Sequence, residues 1–139
     1  AELIRLTFAA GGVEFEDERV SREEQQRRKG AGVLPWGQFP TLTVGDKVFG
    51  QSYSLAKFAA KLGGLHPSDP LQALAVESIC DATDDVRSKL VPIRYMPLSP
   101  EERLKKYEEF LRGTLPPLLA NFERLCKCDA AGPEGFLVG

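Results

Sequence analysis

The stretch from Pro35 to Ser52 constrains the fold of this 139-residue chain more than any other part. Thr41–Val44 and Lys47–Phe49 are short runs typical of strands, and Gly45-Asp46 between them is typical of a two-residue hairpin turn. Proline has no backbone N–H to donate to a sheet, so Pro40 belongs at the first position of the first strand. The sequence therefore predicts an antiparallel hairpin that begins at Pro40.

A helix is predicted directly after the hairpin. Gln51-Ser52 opens this helix and Gly63-Gly64 ends it. Its predicted apolar face consists of Leu55, Phe58, Ala59 and Leu62. The N-terminus of a helix carries unpaired N–H groups that favour anions. A proline-led strand edge beside such a terminus is a suitable place to hold a small peptide-like acid.

The residues before the hairpin predict two helices and a strand. Residues 1–10 form the first helix, which Gly11-Gly12 ends. Glu14–Val20 is predicted to be a strand with Phe15 pointing inward, and its acidic residues favour an exposed edge. Residues 21–29 predict a polar helix or turn that starts with a capping box between Ser21 and Glu24. The apolar stripe predicted for the first helix is Leu3, Ile4, Leu6 and Phe8.

After Gly63-Gly64, the predicted structure changes from strands and helices to a linker followed by helices alone. Leu65–Pro70 predicts a linker because its prolines break the helical pattern, and His66, the single histidine, is interpreted as a linker residue. Beyond it the pattern is helical, and Pro92 kinks or ends the first of these helices. The stripe predicted for that helix is Leu71, Ala75, Ile79, Ala82, Val86 and Leu90.

A last helix is predicted to begin at Ser99-Pro100, where an N-cap, a proline and acidic residues follow one another. Gly113 and Pro116-Pro117 interrupt it, but the apolar stripe keeps its phase across them, which favours one kinked helix over two. That stripe consists of Leu104, Tyr107, Leu111, Leu115, Leu118, Phe122 and Leu125.

Composition argues against two classes of partner. A net charge of −2 gives no basic footprint for nucleic acid, and no apolar run reaches the roughly 20 residues that span a bilayer. We therefore expect a cytoplasmic protein whose cysteines are reduced. The alternative for Cys126-Lys127-Cys128 is a redox or metal pair, although a single histidine makes a zinc site a poor interpretation.

Both ends of the sequence predict that it is part of a longer protein. Ala1 falls inside a helical pattern with no N-cap before it. Gly139 directly follows the apolar run Phe136–Val138.

Taken in order, these features resemble the cytosolic glutathione S-transferases over essentially the whole chain. Phe39-Pro40 matches the family's cis-proline position, Gln51-Ser52 its γ-glutamyl-binding pair, and Trp36–Pro40 its aromatic-Gly-Gln/Lys-X-Pro loop. The opening residues 1–6 look like the family's first helix. The class most resembled is sigma, which includes the glutathione-dependent prostaglandin D synthases. The resemblance implies a thioredoxin-like α/β domain over residues 1–64, incomplete at its start, and a truncated α-helical domain over residues 65–139.

The same resemblance implies a glutathione site. The backbone of Phe39, held outward by a cis bond before Pro40, would pair with the cysteinyl unit, and Gln38 precedes it in the same loop. Ser52 would bind the γ-glutamyl carboxylate with its hydroxyl and N–H, and Gln51 would add a side-chain hydrogen bond. Without the resemblance, Ser52 would be only an N-cap, and with it Ser52 is interpreted as a cap that also binds the ligand.

Two further positions in this half of the chain have alternative interpretations. The run Arg27–Lys29 is a solvated face, or one of its cations reaches a ligand carboxylate. The resemblance assigns that contact, to the glycine carboxylate of glutathione, to Lys29. It places Gln25 where sigma enzymes carry a tryptophan, which is a departure from the family pattern. Trp36 is interpreted as packing for its loop, with a ligand contact as the alternative.

Asp81, Asp84 and Asp85 share one helix face, because their spacings are three and four residues. Spacing alone leaves open a solvated acidic face or a cluster that binds an amine or a divalent cation. Sigma-class enzymes carry a similar stretch in the cleft of a homodimer. By that resemblance, Asp85 contacts the γ-glutamyl amine of glutathione bound by the other subunit. In prostaglandin D synthases the cluster also binds Mg²⁺ or Ca²⁺, cations that prefer carboxylate oxygens.

The residue that ionises the glutathione thiol is not assigned in this chain. The family uses a tyrosine on a first strand, a position that would precede Ala1, and Tyr53, Tyr95 and Tyr107 do not match it. The candidates for an electrophile pocket are Arg87, Ile93, Tyr95 and Met96.

The sequence thus predicts a sigma-like glutathione transferase that conjugates glutathione to small electrophiles or performs a glutathione-dependent isomerisation. One alternative is a non-catalytic protein of the same fold, crystallin-like or ligand-binding. A thioredoxin-like redox protein is a second alternative, which the lack of a cysteine near Gln38–Pro40 disfavours.

Overall fold

The computed structural model describes residues 1–127 of the chain. The chain divides into two compact units, Ala1–Ser68 and Asp69–Gly139. Cys128 and the apolar run Phe136–Val138 lie outside the described residues, so the alternative of a redox or metal pair at Cys126-Lys127-Cys128 is not tested by the structure. Within the described part of the chain, no helix combines the length and apolar character that a bilayer span requires.

The first unit contains three helices and one hairpin. In chain order these are α1 (Glu2–Ala10), α2 (Arg22–Gly30), β1 (Thr41–Val44), β2 (Lys47–Gly50) and α3 (Ser52–Leu62). The strands pair antiparallel, with Thr41 opposite Gly50 and Val44 opposite Lys47. Gly45 has φ 60°, which a primed two-residue turn requires at that position. The predicted hairpin is therefore confirmed, although its first strand begins at Thr41 and Pro40 lies just before it.

The core of this unit forms where α1 and α3 pack together. Ile4 and Phe8 of α1 meet Leu55, Ala56 and Ala59 of α3, with Val13 and Leu42 packed against them. Only part of each predicted stripe is buried. The other predicted stripe residues, Leu3, Leu6, Phe58 and Leu62, are exposed. Small alanines at the contact let the helices approach, so the buried stripe is narrower than the sequence pattern.

Two glycines fix the place where these helices end. Gly11 and Gly63 are the C-caps of α1 and α3. A β-carbon at Gly11 would lie 2.7 Å from the Gly63 Cα, and one at Gly63 would lie 2.6 Å from the Gly11 Cα. The two helix ends therefore touch backbone to backbone, at a distance that only glycine allows.

The predicted strand Glu14–Val20 is wrong. Residues 13–20 are extended, but they pair in a ladder with none of the described residues. Side chains position the segment instead. The ring of Phe15 stacks on Phe8 with centroids 5.0 Å apart, and Arg5 Nε donates to Asp17 Oδ1 at 2.7 Å. Acidic residues are disfavoured in strands, and a strand also needs a hydrogen-bonding neighbour.

The polar helix α2 forms as predicted, but its capping box is only half made. Ser21 is the N-cap, and its hydroxyl accepts a hydrogen bond from the Glu24 N–H at 3.2 Å. The Glu24 carboxylate does not return to Ser21. It pairs with Arg27 and Arg28 on the same helix.

The second unit is helical throughout its described part. It comprises α4 (Pro70–Tyr95), α5 (Pro100–Glu109), a π-helical segment (Phe110–Thr114) and α6 (Leu115–Cys126). Asp69 caps α4 by accepting from the Gln72 N–H at 2.8 Å. Ser99 and Glu102 form a complete capping box at the start of α5.

Helix α4 is longer and less buried than the sequence suggested. It runs 26 residues and continues through Pro92, which does not end it. Its buried residue is Ile93. The predicted stripe residues Ala75, Ile79, Ala82 and Val86 are half-buried, whereas Leu71 and Leu90 at the two ends of the stripe are exposed. The middle of the predicted stripe is therefore the more protected face of α4.

The π-helical segment changes the stripe predicted for the last helix. The backbone stays helical from Pro100 to Cys126, which confirms one continuous element. However, a π-helical turn contains one residue more than an α-helical turn. It therefore changes which of the apolar residues faces inward. Phe110 is 5% exposed and fills the inward position, while the predicted Leu111 is 54% exposed. Leu104 is exposed as well.

Candidate functional site

The hairpin register brings Pro40 and Gln51, two of the predicted binding residues, to the same end of the hairpin. Thr41 lies opposite Gly50, so the register continued by one residue places Pro40 opposite Gln51. The Phe39-Pro40 bond is cis, and both residues are half-buried. The backbone of Phe39 and the N-terminus of α3 therefore flank the same end of the ladder. Gln38 is exposed in the loop just before them.

Gln51 has the backbone conformation that most distinguishes this site. Its φ is 78°, and it is the one non-glycine residue with a positive φ among residues 1–127. A conformation of this kind costs on the order of 1–3 kcal/mol and persists only where the surroundings impose it. Nothing in the sequence predicts this conformation, since a glycine would have been expected at such a position.

The N-terminus of α3 is left without a side-chain cap. Gln51 is the N-cap residue, and its side chain makes no capping hydrogen bond. The interpretation of Ser52 as an N-cap is therefore wrong, because Ser52 is the first residue inside the helix. By contrast, α2, α4 and α5 are all capped by side chains. Unpaired N–H groups and the helix dipole make an uncapped terminus attractive to a carboxylate.

The ion pairs of α2 involve Arg27 and Arg28 but not Lys29. Arg27 Nε lies 2.6 Å from Glu24, and Arg28 bonds both Glu24 and Glu18. Hydrogen bonds from Arg27 and then Arg28 lower the pKa of Glu24 from 4.5 to about 2. Lys29 is exposed in the last turn of α2 and forms no ion pair with a described residue. It is thus the cation of the run that a ligand could engage.

Gln25, which stands where the resemblance expects a tryptophan, has a local contact. Its side-chain Nε2 donates to the Val20 carbonyl at 3.4 Å and is partly buried. It holds the start of α2 against the extended segment.

The acidic residues of α4 do not assemble into a cation site. Asp81 and Asp85 are exposed, and Asp84 is half-buried and accepts a hydrogen bond from Arg87 Nε at 2.8 Å. No group of three carboxylate, histidine or cysteine side chains in residues 1–127 is arranged to hold a metal ion. Asp84 is bonded to Arg87 instead. The expectation of Mg²⁺ or Ca²⁺ at this cluster is therefore not supported.

The electrophile-pocket candidates lie along the second half of α4. Arg87 is exposed and engaged with Asp84, whereas Ile93 is buried. Tyr95 is 73% exposed and Met96 43%. The guanidinium of Arg94 lies over the Tyr95 ring, 5.7 Å from its centroid.

Arg103 is a residue at this end of α4 that the sequence analysis missed. Its guanidinium donates to the carbonyls of Ile93 and Arg94, each at 2.6 Å, and to that of Met96 at 3.0 Å. Ile93 and Arg94 belong to the last turn of α4, where carbonyls lack partners within the helix, and Met96 is the C-cap. An arginine four residues after the N-cap Ser99 gives no hint in the sequence that it contacts the preceding helix, so only the fold could identify this contact.

Comparison with known proteins identifies the class of this fold. The chain is 34% identical over 139 residues to glutathione S-transferase 2 of Caenorhabditis elegans, covering 99% of this chain and 72% of that relative. It is 35% identical over 127 residues to glutathione S-transferase S1 of Drosophila melanogaster, covering 91% of this chain but 50% of the relative. No protein-family model matches it.

A solved structure agrees with these relatives. The prostaglandin synthase D of Nilaparvata lugens superposes with a TM-score of 0.81 at 29% identity, over 93% of this chain and 63% of that one. The chain belongs to the glutathione S-transferase family. Its fold is accordingly a thioredoxin-like N-terminal part followed by an α-helical part.

Proposed function

We propose that the full-length protein is a sigma-like glutathione transferase that joins glutathione to small electrophiles. The observation that carries this proposal is the end of the hairpin. There the Phe39 backbone, the positive-φ residue Gln51 and the uncapped N-terminus of α3 lie side by side. Such an edge offers both peptide hydrogen bonds and an anion site, which a γ-glutamyl tripeptide needs at once.

Each predicted residue has a distinct task in this proposal. The backbone of Phe39 pairs with the cysteinyl unit, next to Pro40 and Gln38. Ser52 binds the γ-glutamyl carboxylate through its hydroxyl and N–H, and Gln51 donates from its side-chain amide. Lys29 faces the glycine carboxylate, because Arg27 and Arg28 are already paired with glutamates.

The chemistry requires the glutathione sulfur as a thiolate. A free thiol with a pKa near 8.5 is only a few per cent ionised at neutral pH, so an activating group is needed. We assign this task to none of Tyr53, Tyr95 and Tyr107. Once formed, the thiolate attacks the electrophile, and the bond to the leaving group breaks or a double bond takes up the electron pair. Arg87, Tyr95 and Met96 are proposed to contact the electrophile.

Isomerisation is a second candidate reaction, favoured by one observation. One of the similar solved structures is a prostaglandin synthase D. In an isomerisation glutathione is regenerated at the end of each cycle, whereas in conjugation it is consumed. A stoichiometric count of glutathione after turnover separates the two reactions.

We further propose that the protein is a cytoplasmic homodimer that acts in detoxification. In the dimer, Asp85 of one copy contacts the γ-glutamyl ammonium of glutathione held mainly by Gln51 and Ser52 of the other. Asp85 suits this task because it is exposed and its neighbour Asp84 is already bonded to Arg87.

Titration calorimetry of the full-length protein with glutathione tests the proposal. The dipeptide Cys-Gly is the matched control ligand, since it lacks only the γ-glutamyl unit. We expect glutathione to bind and Cys-Gly to bind at least tenfold more weakly, because the α3 N-terminus would have no carboxylate to hold. Equal affinities, or no binding of either ligand, would overturn the assignment.

A further inference from the structure

Trp36 is the single tryptophan of the 139 residues, and the structure places its indole directly against Gly50. A β-carbon at Gly50 would lie 2.8 Å from Trp36 Cδ1, with Nε1 at 3.7 Å and Cγ at 3.8 Å. The edge of the five-membered ring therefore rests on the bare Cα of this glycine. Trp36 as a whole is 65% exposed, so burial in the core does not explain its position.

Gly50 is a glycine because of this contact and not because of its backbone conformation. Five glycines in the described chain have a positive φ, and Gly50 is not among them. Any residue could adopt its backbone, but a side chain would collide with the indole ring. Real β-carbons essentially never approach another heavy atom as closely as 2.8 Å.

The contact joins the two backbone segments of the proposed glutathione site. On one side, Trp36 belongs to a turn in which the Gly37 N–H donates to the Leu34 carbonyl at 3.0 Å, and Leu34 is buried. This turn leads directly to Gln38 and Phe39. On the other side, Gly50 ends β2 and precedes Gln51, whose φ of 78° needs support from its surroundings.

We propose that Trp36 is a positioning residue for glutathione binding. Its contact with Gly50 holds the loop Gln38–Pro40 at a fixed position relative to Gln51 and Ser52. The inference rests on the proposed function, because it concerns the same ligand. It assigns Trp36 no hydrogen bond to glutathione. Its effect passes through Gly50 to the strained backbone of Gln51.

A double-mutant cycle in the full-length protein tests this coupling, with the glutathione Kd from calorimetry and the Tm as readouts. Gly50→Ala should weaken glutathione binding about tenfold, equivalent to about 1.4 kcal/mol, because the new methyl displaces the indole. Trp36→Ala should weaken it by a similar factor, and Trp36→Phe, which keeps an aromatic ring on the glycine, by less. In the Trp36→Ala background, Gly50→Ala should add little, since the methyl then has space.

Gly30→Ala is the matched control, because a β-carbon there meets no heavy atom within 4 Å and its φ is not positive. It should leave the Kd unchanged. Losses of affinity that simply add in the double variant would overturn the proposed coupling. So would a lower Tm with an unchanged Kd, which a merely structural contact would produce. If the unmodified protein binds no glutathione, it is the proposed function that fails.

Discussion

Ser52 shows how a single residue can contribute to binding without contributing to the cap of its helix. It is the first residue of α3, is half-buried and follows the N-cap Gln51. Because its hydroxyl caps nothing in the structure, its removal should cost the fold little. Alanine is also the better helix former.

Ser52→Ala should therefore weaken glutathione binding while leaving the Tm of the full-length protein unchanged. A hydrogen bond to a carboxylate contributes about 1.5–3 kcal/mol, which sets the size of the expected loss of affinity. Calorimetry and thermal unfolding measure the two effects. Ser54→Ala, the same exchange at an exposed position two residues further on, is the control. Equal effects of the two variants on affinity would contradict the assignment.

Glu24 is the residue that predicts a dependence of stability on pH. Its folded-state pKa of about 2 lies below the ordinary 4.5, since Arg27 and Arg28 hydrogen-bond the ionised form. A depressed carboxyl pKa gives stability that is present above the unfolded value and is lost as pH falls through the folded value. The loss should therefore occur between about pH 4.5 and pH 2.

Glu24→Gln should lower stability at neutral pH and make its fall over that acid range shallower. Denaturant unfolding of the full-length protein at a series of pH values measures this slope. Glu16→Gln changes an exposed glutamate that pairs with no described residue and is the matched control. If the stability of the variant fell with pH over this range as steeply as that of the unmodified protein, protonation of Glu24 would not be the cause of the loss.

At the level of single elements, the π-helical segment decides which apolar residue points inward. Phe110 is 5% exposed and Leu111 is 54% exposed, although the sequence pattern chose Leu111. We expect Phe110→Ala to destabilise the protein by about 3 kcal/mol, as is usual for the loss of a buried aromatic ring. Leu111→Ala should cost less than about 1 kcal/mol. Chemical denaturation measures the free energy of unfolding of both variants. A larger loss for Leu111→Ala than for Phe110→Ala would contradict the inward position of Phe110.

The C-terminal end of α4 depends on a side chain from the next helix. Arg103 donates to three carbonyls of the last turn, and its charge also favours the negative end of the helix dipole. Arg103→Met keeps the length of the side chain but removes the donors. It should destabilise by about 1–2 kcal/mol, because water can replace the exposed contacts only in part. Lys105→Met, on an exposed position of the same helix, should be nearly neutral, and an equal loss would refute the role of Arg103.

What could be predicted from sequence divides by the range of the interaction. The hairpin, the box at Ser99 and Glu102, and the glycine stops are set by residues at most four apart, and these are confirmed. The prediction of a strand over residues 14–20 was wrong because a strand depends on hydrogen bonds to another strand that is distant in sequence. Phe110 and Arg103 were missed because a π-turn and a contact across a loop leave no periodic signal.

The candidate site follows the same division. The positions of Pro40 and Ser52 beside the hairpin could be predicted, since the register follows from a two-residue turn. The positive φ of Gln51 and the contact of Trp36 with Gly50 could not be predicted, because each depends on how two segments pack. The roles of the site residues and the boundary between residues 64 and 65 stay predictions.

For the whole molecule, the proposed dimer makes each site depend on Asp85 of the other copy. Asp85→Asn keeps the size of the side chain and a hydrogen-bond acceptor but removes the charge. We expect the glutathione KM of the full-length enzyme to rise several-fold while the protein stays dimeric, since partial exposure weakens the contact to an ammonium. Kinetics and sedimentation on one sample measure both, and Asp81→Asn, one turn earlier on α4, should have a smaller effect. An unchanged KM or a monomeric variant would contradict the composite site.

The contact between Gly11 and Gly63 fixes the C-terminal end of α3 against α1, and Leu55, Ala56 and Ala59 hold the rest of the helix there. Ser52, at the other end of α3, lies eleven residues away, which at 1.5 Å per residue is about 16 Å. A change of about 4° in the tilt of α3 would therefore move Ser52 by about 1 Å. Displacements of that size matter at sites that depend on oriented hydrogen bonds. The close glycine contact thus contributes, together with the packed core, to how precisely the ligand end of α3 is placed.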